Sequence, residues 1–234
     1  MSAPSDVRIV IPALDEERSL PSVLGAIPRE AVREIVVVDN GSRDRTAQVA
    51  RENGATVLTE SRRGYGSACL AGIEHLKGTS CQVLVILDAD FSDRPEQLPD
   101  LVTPILEGRA DFVIGSRTLG KAEPGALAPH VRFGNWLAAV LIWATSGRWF
   151  TDMGPFRAID FKKLLVLGMR DPTYGWNVEM QMKALRHGLR ILEVPADYRC
   201  RTGVSKISGT LRGTVGAGYK IISTILYYGL IDRR

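Results

Sequence analysis

Val83-Leu84-Val85-Ile86-Leu87-Asp88-Ala89-Asp90 is an unbroken aliphatic run that ends abruptly in acid. A run of this length, rich in β-branched residues, reads as a central strand buried on both faces of a parallel sheet. Side chains alternate along a strand, so residues two apart share a face, and Asp88 and Asp90 at the exit can address one object beyond the sheet. In open α/β sheets that edge is where ligands bind. Two adjacent carboxylates with no basic residue between them repel each other unless a cation joins them. A hard divalent ion carrying a substrate's phosphates would do so, since magnesium is usually held by one or two carboxylates plus phosphate oxygens. The competing reading is a solvated turn that starts the next helix, where aspartate is common.

Outward from this run the chain alternates strand and helix. Residues 7–11 read as a first strand closed by Pro12, and Ala13-Leu14-Asp15-Glu16-Glu17 as the opening of a helix that turns Leu20, Val23 and Leu24 inward. Acid near a helix start suits the helix dipole. Residues 35–38 form a second strand ending in Asp39-Asn40-Gly41-Ser42-Arg43-Asp44, followed by a helix that Gly54 stops. Residues 56–59 make a short third strand. Arg62-Arg63-Gly64-Tyr65-Gly66 then leads into a helix whose Ala68, Ala71 and Gly72 permit close packing on the sheet. It is neither a Walker loop nor a dinucleotide fingerprint, because the Lys-Ser/Thr and the third glycine are missing. After the central run, Pro95 opens a helix to about residue 107, and residues 111–115 give a strand ending in Gly115-Ser116-Arg117. The pattern predicts an α/β fold with a single doubly wound, mostly parallel sheet flanked by helices.

The second half reads differently. Trp136-Leu137-Ala138-Ala139-Val140-Leu141-Ile142-Trp143 is uncharged between Arg132 and Arg148, as a core helix or a helix lying in a membrane interface would be. Thr151-Asp152-Met153-Gly154-Pro155-Phe156 is a turn leading into Arg157-Ala158-Ile159. Residues 176–187 are helical by their Val178, Met182 and Leu185 spacing, and residues 191–198 alternate as an edge strand that tolerates Pro195. A basic, glycine-bearing loop occupies 199–206, and the tail from Tyr219 to Ile231 is apolar with three tyrosines.

The 234 residues suffice for one large α/β domain, or a domain with a modest appendage. A composition of 45% hydrophobic and 24% charged residues is that of a folded protein. The net charge of +4 favours polyanionic partners, but the positive residues form no stripe with interleaved aromatics, which argues against nucleic acid. Cys69, Cys81 and Cys200 are scattered, as reduced thiols are, and His75, His130 and His187 show no zinc spacing. The first residues lack a signal-peptide core, and no stretch reaches the roughly 18 apolar residues of a membrane span. A cytoplasmic protein, peripheral at the cytoplasmic membrane face, is the expectation.

Taken in order, these stretches resemble the glycosyltransferase family 2 enzymes of GT-A fold, and within them the polyprenyl- or dolichyl-phosphate sugar synthases. The likeness runs from residue 7 to about 206. Ile11-Pro12-Ala13-Leu14-Asp15-Glu16 is similar to the family's Pro-x-x-Asn-Glu segment, with Asp15 in place of Asn. Val38-Asp39-Asn40-Gly41-Ser42-Arg43-Asp44 resembles its Val-Asp-Asp-x-Ser-x-Asp, departing at Asn40. Leu87-Asp88-Ala89-Asp90 is similar to the DxD metal motif, and Ile114-Gly115-Ser116-Arg117 to the arginine-bearing strand end. Arg132 and Asn135 fall where the synthases carry Arg and Asn at a helix start, and Arg201-x-Gly203-x-Ser205-Lys206 resembles the late Arg-x-Gly-x-Ser-Lys segment.

The resemblance implies a nucleotide-sugar site at the C-terminal strand edge, with Pro12, Leu14, Glu16 and Asp39 lining the nucleoside pocket. Asp88 and Asp90 would hold magnesium or manganese, with Ser92 near the place of a third ligand. Residues 1–210 would form the GT-A domain, 1–117 its nucleotide-sugar half, 118–210 its acceptor half, and 211–234 an apolar helical tail. The implied reaction is inverting, metal-dependent transfer of a hexose from a UDP- or GDP-linked sugar to a polyprenyl phosphate, by a monomer or a homo-oligomer. The departing diphosphate develops charge that cationic side chains stabilise, and Arg117, Arg132, Arg201 and Lys206 are the candidates. A phosphate acceptor is already anionic and needs only arginine clamps to hold it in line. A hydroxyl acceptor on a lipid or glycan would need a general base, Asp152 first and Glu179 second. The reading from another class is a nucleotide-binding regulatory domain without catalysis, against which the intact acidic pair argues.

Overall fold

The computed structural model describes residues 5–203 and 211–231. One seven-stranded sheet contains β1 (Val7–Ala13), β2 (Glu34–Asp39), β3 (Thr56–Thr59), β4 (Val83–Ile86), β5 (Phe112–Ser116), β6 (Arg157–Asp160) and β7 (Ile191–Pro195). Their spatial order is β3-β2-β1-β4-β6-β5-β7, so the run that opens the sequence reading is the middle strand, buried throughout. Every pairing is parallel except those of β6, which runs against both β4 and β5. The doubly wound, mostly parallel sheet is therefore as expected, with one reversed strand.

Helices α1 (Leu20–Ala26), α2 (Thr46–Glu52), α3 (Tyr65–Leu76), α4 (Leu98–Leu106), α5 (Pro129–Ser146), α6 (Phe161–Leu167), α7 (Trp176–Arg186) and α8 (Leu211–Leu226) cover the two faces. Alternation along β4 divides the core. Leu84 and Ile86 join Cys69 and Leu76 of α3 and Met180 of α7, whereas Val83, Val85 and Leu87 join Leu20 and Leu24 of α1 and Leu101 of α4. The small-residue reading of α3 holds: a Cβ on Gly72 would lie 2.6 Å from Val10 Cγ1, a separation no side chain tolerates.

Some boundaries differ from expectation. Pro12 does not close β1, which continues to Ala13 in register with Asp39. Pairing with β4 stops at Val10, so Pro12 sits where one side of β1 is a local edge and no ladder N–H is lost. Ala13 to Glu17 do not open a helix. Asp15 takes a left-handed backbone (φ 53°), and α1 begins only at Leu20. The acids instead lace this loop to the next one: Asp15 Oδ1 accepts from the Arg43 N–H at 2.7 Å and Glu17 Oε2 from the Arg45 N–H at 3.0 Å. β4 ends at Ile86, so Asp88 and Asp90 lie on its exit turn, where strand alternation no longer sets their direction.

The tail is not detached. α8 packs on α5 and α7 and buries Thr224 and Ile225, while Tyr219, Leu226 and the following wide turn Tyr227–Ile231 keep apolar surface exposed. Among the described residues no helix is long and apolar enough to cross a membrane.

Candidate active site

The parallel strands β1, β2, β4 and β5 all end on one edge of the sheet, and β6, running the other way, begins there. Arg157 opposes Ile86 on one side and Ile114 on the other, so the turn before it stands level with the acids after β4 and with Arg117 after β5. This reversal brings Asp152 to the edge.

Asp88 and Asp90 form an electrostatically frustrated pair. Asp88 Oδ1 is buried with no hydrogen-bond partner among the described residues. Burial first, and the charge of Asp90 second, push the Asp88 carboxyl up to about 7, against the pull of Arg201. Asp90 Oδ1 accepts from the Ser92 N–H at 3.0 Å and from its hydroxyl at 2.5 Å, and Asp90 Oδ2 lies 3.1 Å from Arg201 Nη1. Ser92 is fully buried and its hydroxyl orients the Asp90 carboxylate. Between them Phe91 is held in a left-handed backbone (φ 61°) under the Arg199 guanidinium, 3.8 Å from its ring. The N–H groups of Arg199 and Thr202 donate to the carbonyls of Ser92 and Asp90 at 2.9 and 3.0 Å, which latches the basic loop onto the acidic turn. An orphaned buried carboxylate oxygen, beside a second carboxylate that Arg201 balances only in part, fits a hard divalent cation. No three acidic, histidine or cysteine side chains among the described residues form a ready cage.

At the end of β1, Pro12 and Leu14 are half-buried. Asp39 accepts from the Ser42 N–H at 3.0 Å, and Glu16 accepts from the Ser19 hydroxyl at 2.6 Å. Asn40 donates to the carbonyls of Glu60 and Arg62 at 3.0 and 2.8 Å and accepts from the Gly64 N–H at 2.7 Å. An aspartate cannot donate, so this departure from the family pattern serves the loop before α3. Gly64 and Gly66 serve it too, as a Cβ on Gly66 would fall 1.9 Å from the Asp171 carbonyl oxygen.

Arg117 and Asp152 form a buried bidentate pair. Burial works to lower the guanidinium, but the charge and hydrogen bonds of Asp152 outweigh it and hold Arg117 above its ordinary value. Arg117 also stacks on Tyr198, 5.1 Å from the ring centroid. Glu193 accepts from the N–H groups of Thr151 and Asp152, and Asn135 bridges to Thr151 and Met153. A cavity of about 500 Å³ lies here, and its lining mixes Arg117, Arg132 and Asp152 with Leu127, Val131, Trp136, Trp149 and Phe150.

Not every candidate joins this group. Glu179 does not line the cavity. It is fully buried on α7, accepting from the Arg170 and Asp171 N–H groups and the Tyr228 hydroxyl and pairing with Lys183 at 2.7 Å, so it ties the tail to the domain. His75 pairs with Glu34 at the surface. Lys206 lies outside the described residues. Three residues at the edge escaped sequence reasoning. Asp93 is buried beside the acidic pair and, by burial and then the charges of Asp88 and Asp90, is pushed well above the carboxylate range. Glu193 supports the Asp152 turn. Arg157, fully buried, donates to the carbonyls of Asn177 and Gly154 and so fixes that turn from below. A lone cation in an apolar strand was the available signal for Arg157.

The sheet order, with its one reversed strand, is that of a GT-A-type fold. Residues 8–176 match the sequence pattern of Glycosyl transferase family 2, and the chain belongs to that family and is a glycosyltransferase. It is 40% identical over 228 residues to an uncharacterized glycosyltransferase of Mycobacterium tuberculosis (strain ATCC 25618 / H37Rv), covering 93% of this chain and 98% of that one. It is 34% identical over 229 residues to the undecaprenyl-phosphate mannosyltransferase of Micrococcus luteus, covering 88% and 89% of the two chains. Among solved structures, glucosyl-3-phosphoglycerate synthase from M. tuberculosis in complex with Mn²⁺, UDP and glucosyl-3-phosphoglycerate superposes with a TM-score of 0.75. The 24% identity, over 96% of this chain and 80% of that one, makes this a likeness of fold.

Proposed function

We propose that this chain moves a hexose, with inversion, from a UDP- or GDP-linked sugar to a polyprenyl phosphate at the cytoplasmic face of a membrane. The observation that carries the acceptor is the mixed cavity, in which Arg117 and Arg132 stand among tryptophan, leucine, valine and phenylalanine side chains. A lipid phosphate needs both kinds of wall. Both oxygens of Asp152 are engaged by Arg117, so this carboxylate is committed to holding the guanidinium. A phosphate nucleophile is already ionised and asks for no base. The naming of relatives as undecaprenyl-phosphate mannosyltransferase and polyprenol monophosphomannose synthase supports the same acceptor class.

In this reading residues 1–117 bind the donor, 118–210 the acceptor, and 211–234 form the tail. Pro12, Leu14, Glu16 and Asp39 line the nucleoside pocket. Asp88 and Asp90 would hold magnesium or manganese, with Ser92 acting by orienting Asp90. The ion, when bound, offsets the charge of the leaving diphosphate as a Lewis acid. Arg201 and Lys206 add fixed positive charge to that diphosphate, and Arg117 and Arg132 hold the acceptor phosphate for in-line attack.

The test is a panel of UDP and GDP sugars, with and without manganese, against a short-chain polyprenyl phosphate, with product read by mass. A glycosylated polyprenyl phosphate is expected. Transfer only to hydroxyl acceptors would overturn the reading.

A further inference from the structure

A second cavity, of about 450 Å³, opens between the loop after α6, the C-terminal end of α7 and the wide turn of the tail. Arg170, Lys183, Arg186 and His187 line it together with Tyr227 and Tyr228, and no carboxylate among the described residues does. Glu179 lies behind it, already matched by Lys183. Basic residues at a helix C-terminus commonly serve the helix dipole, which accounts for Arg186 and His187. It does not account for Arg170, which precedes α7, nor for the surroundings of the cleft. Val166, on its wall, is 67% exposed, and Ile231, at the end of the tail turn, is 73% exposed. Leu165, Leu226 and Leu230 are exposed as well.

A cationic cleft rimmed with solvent-facing aliphatic side chains matches a bilayer interface, where phosphates meet arginine and the rim enters the acyl boundary. A free phosphate would use the charges and leave the rim unexplained. The surface also continues toward the active site. Gly229 of the tail turn presses on α5, since a Cβ there would lie 2.6 Å from Thr145 Cβ. Along α5, Trp143 and Trp136 are each more than half exposed, and Trp136 lines the acceptor cavity.

We infer that the cleft of Arg170, Arg186 and His187, with the Glu179-paired Lys183 on its inner wall, binds the phosphate headgroup of an anionic phospholipid and docks the enzyme on the bilayer. Only the orientation of docking, with the acceptor cavity toward the lipid, rests on the acceptor reading above.

The test floats the full chain with vesicles of phosphatidylcholine alone and of phosphatidylcholine with phosphatidylglycerol. Arg170→Glu and Val166→Asp alter the cleft and its rim at exposed positions, and melting curves check that both fold. Wild type is expected to float with the anionic vesicles only. Reversing one charge lowers that partition about thirtyfold, Val166→Asp lowers it as well, and transfer to a water-soluble short-chain acceptor is unchanged. Equal flotation on neutral vesicles, or anionic flotation indifferent to Arg170→Glu, would overturn the inference. Complete competition by millimolar inorganic phosphate, in place of weakening by salt alone, would overturn it in favour of a free-phosphate site. Loss of transfer to every polyprenyl phosphate with flotation intact would instead sink the acceptor reading and leave the cleft standing.

Discussion

Arg117 grips both oxygens of Asp152, with Nε 2.7 Å from Oδ2 and Nη2 2.7 Å from Oδ1, and its backbone N–H donates to Oδ2 at 2.9 Å. Strand β5 supplies the arginine and the turn before β6 the acid, so the pair closes the sheet edge where the reversed strand enters. Its first consequence separates structure from catalysis. Asp152→Asn leaves a buried guanidinium without its counter-charge, at a cost of about 3 kcal/mol. Thermal melting should therefore fall by roughly 6–12 °C. Turnover of the folded variant should stay within about tenfold of wild type, because no proton is taken; a general base would be worth roughly 10²–10⁴-fold.

Arg132 is exposed on the first turn of α5 and lines the mixed cavity. Arg132→Ala should raise KM for the polyprenyl phosphate by about tenfold and leave KM for the sugar nucleotide unchanged. Steady-state kinetics with each substrate varied in turn reads the split. An equal effect on both substrates would place Arg132 elsewhere in the mechanism.

Asp90→Ala should abolish metal-dependent transfer with far-UV circular dichroism intact, and chelation of the wild type should do the same reversibly. Full activity in the presence of chelator would remove the metal role from Asp88 and Asp90.

Asp111, at the other end of β5, accepts from Arg190 and pairs with Lys163, and the Arg190 hydrogen bonds hold its carboxyl far below the usual range. A depressed carboxyl stabilises the fold above its unfolded value of 3.8, and that contribution is lost as pH falls toward the folded value. Asp111→Asn should thus melt earlier than wild type at pH 7, with the gap closing progressively below pH 4. A constant gap across that range would refute the assignment.

Gly66→Ala should destabilise the protein by about 3 kcal/mol, because the new Cβ meets the rigid Asp171 backbone. Denaturant melts measure it, and Ala71→Gly, which adds no atom to the same helix, should cost about 1 kcal/mol.

How far the chain could be read depended on how local each cause was. The aliphatic run of β4 and the small residues of α3 announce themselves because close burial selects side chains residue by residue. The acids Asp15 and Glu17 resemble a helix start in sequence because their partners, the N–H groups of Arg43 and Arg45, are supplied by another loop. Glu179 was open to a catalytic reading for a like reason. Its i+4 lysine is visible in sequence, whereas the Tyr228 hydroxyl and the turn at Arg170 reach it only through folding. Asp93 passed unnoticed because a third acid after Asp88 and Asp90 carries no pattern until burial charges it with meaning.

The alternating α/β plan, the central strand and the acidic exit are written in local stretches of the chain, since hydrophobic period and turn chemistry act over a few residues. That β6 runs backwards between β4 and β5, and with it which side chains share the edge, emerges on folding alone. Antiparallel insertion is a choice among sheet partners distant along the chain: Arg157 meets Ile86 on one side and Ile114 on the other only in the folded sheet. No short window of residues encodes it.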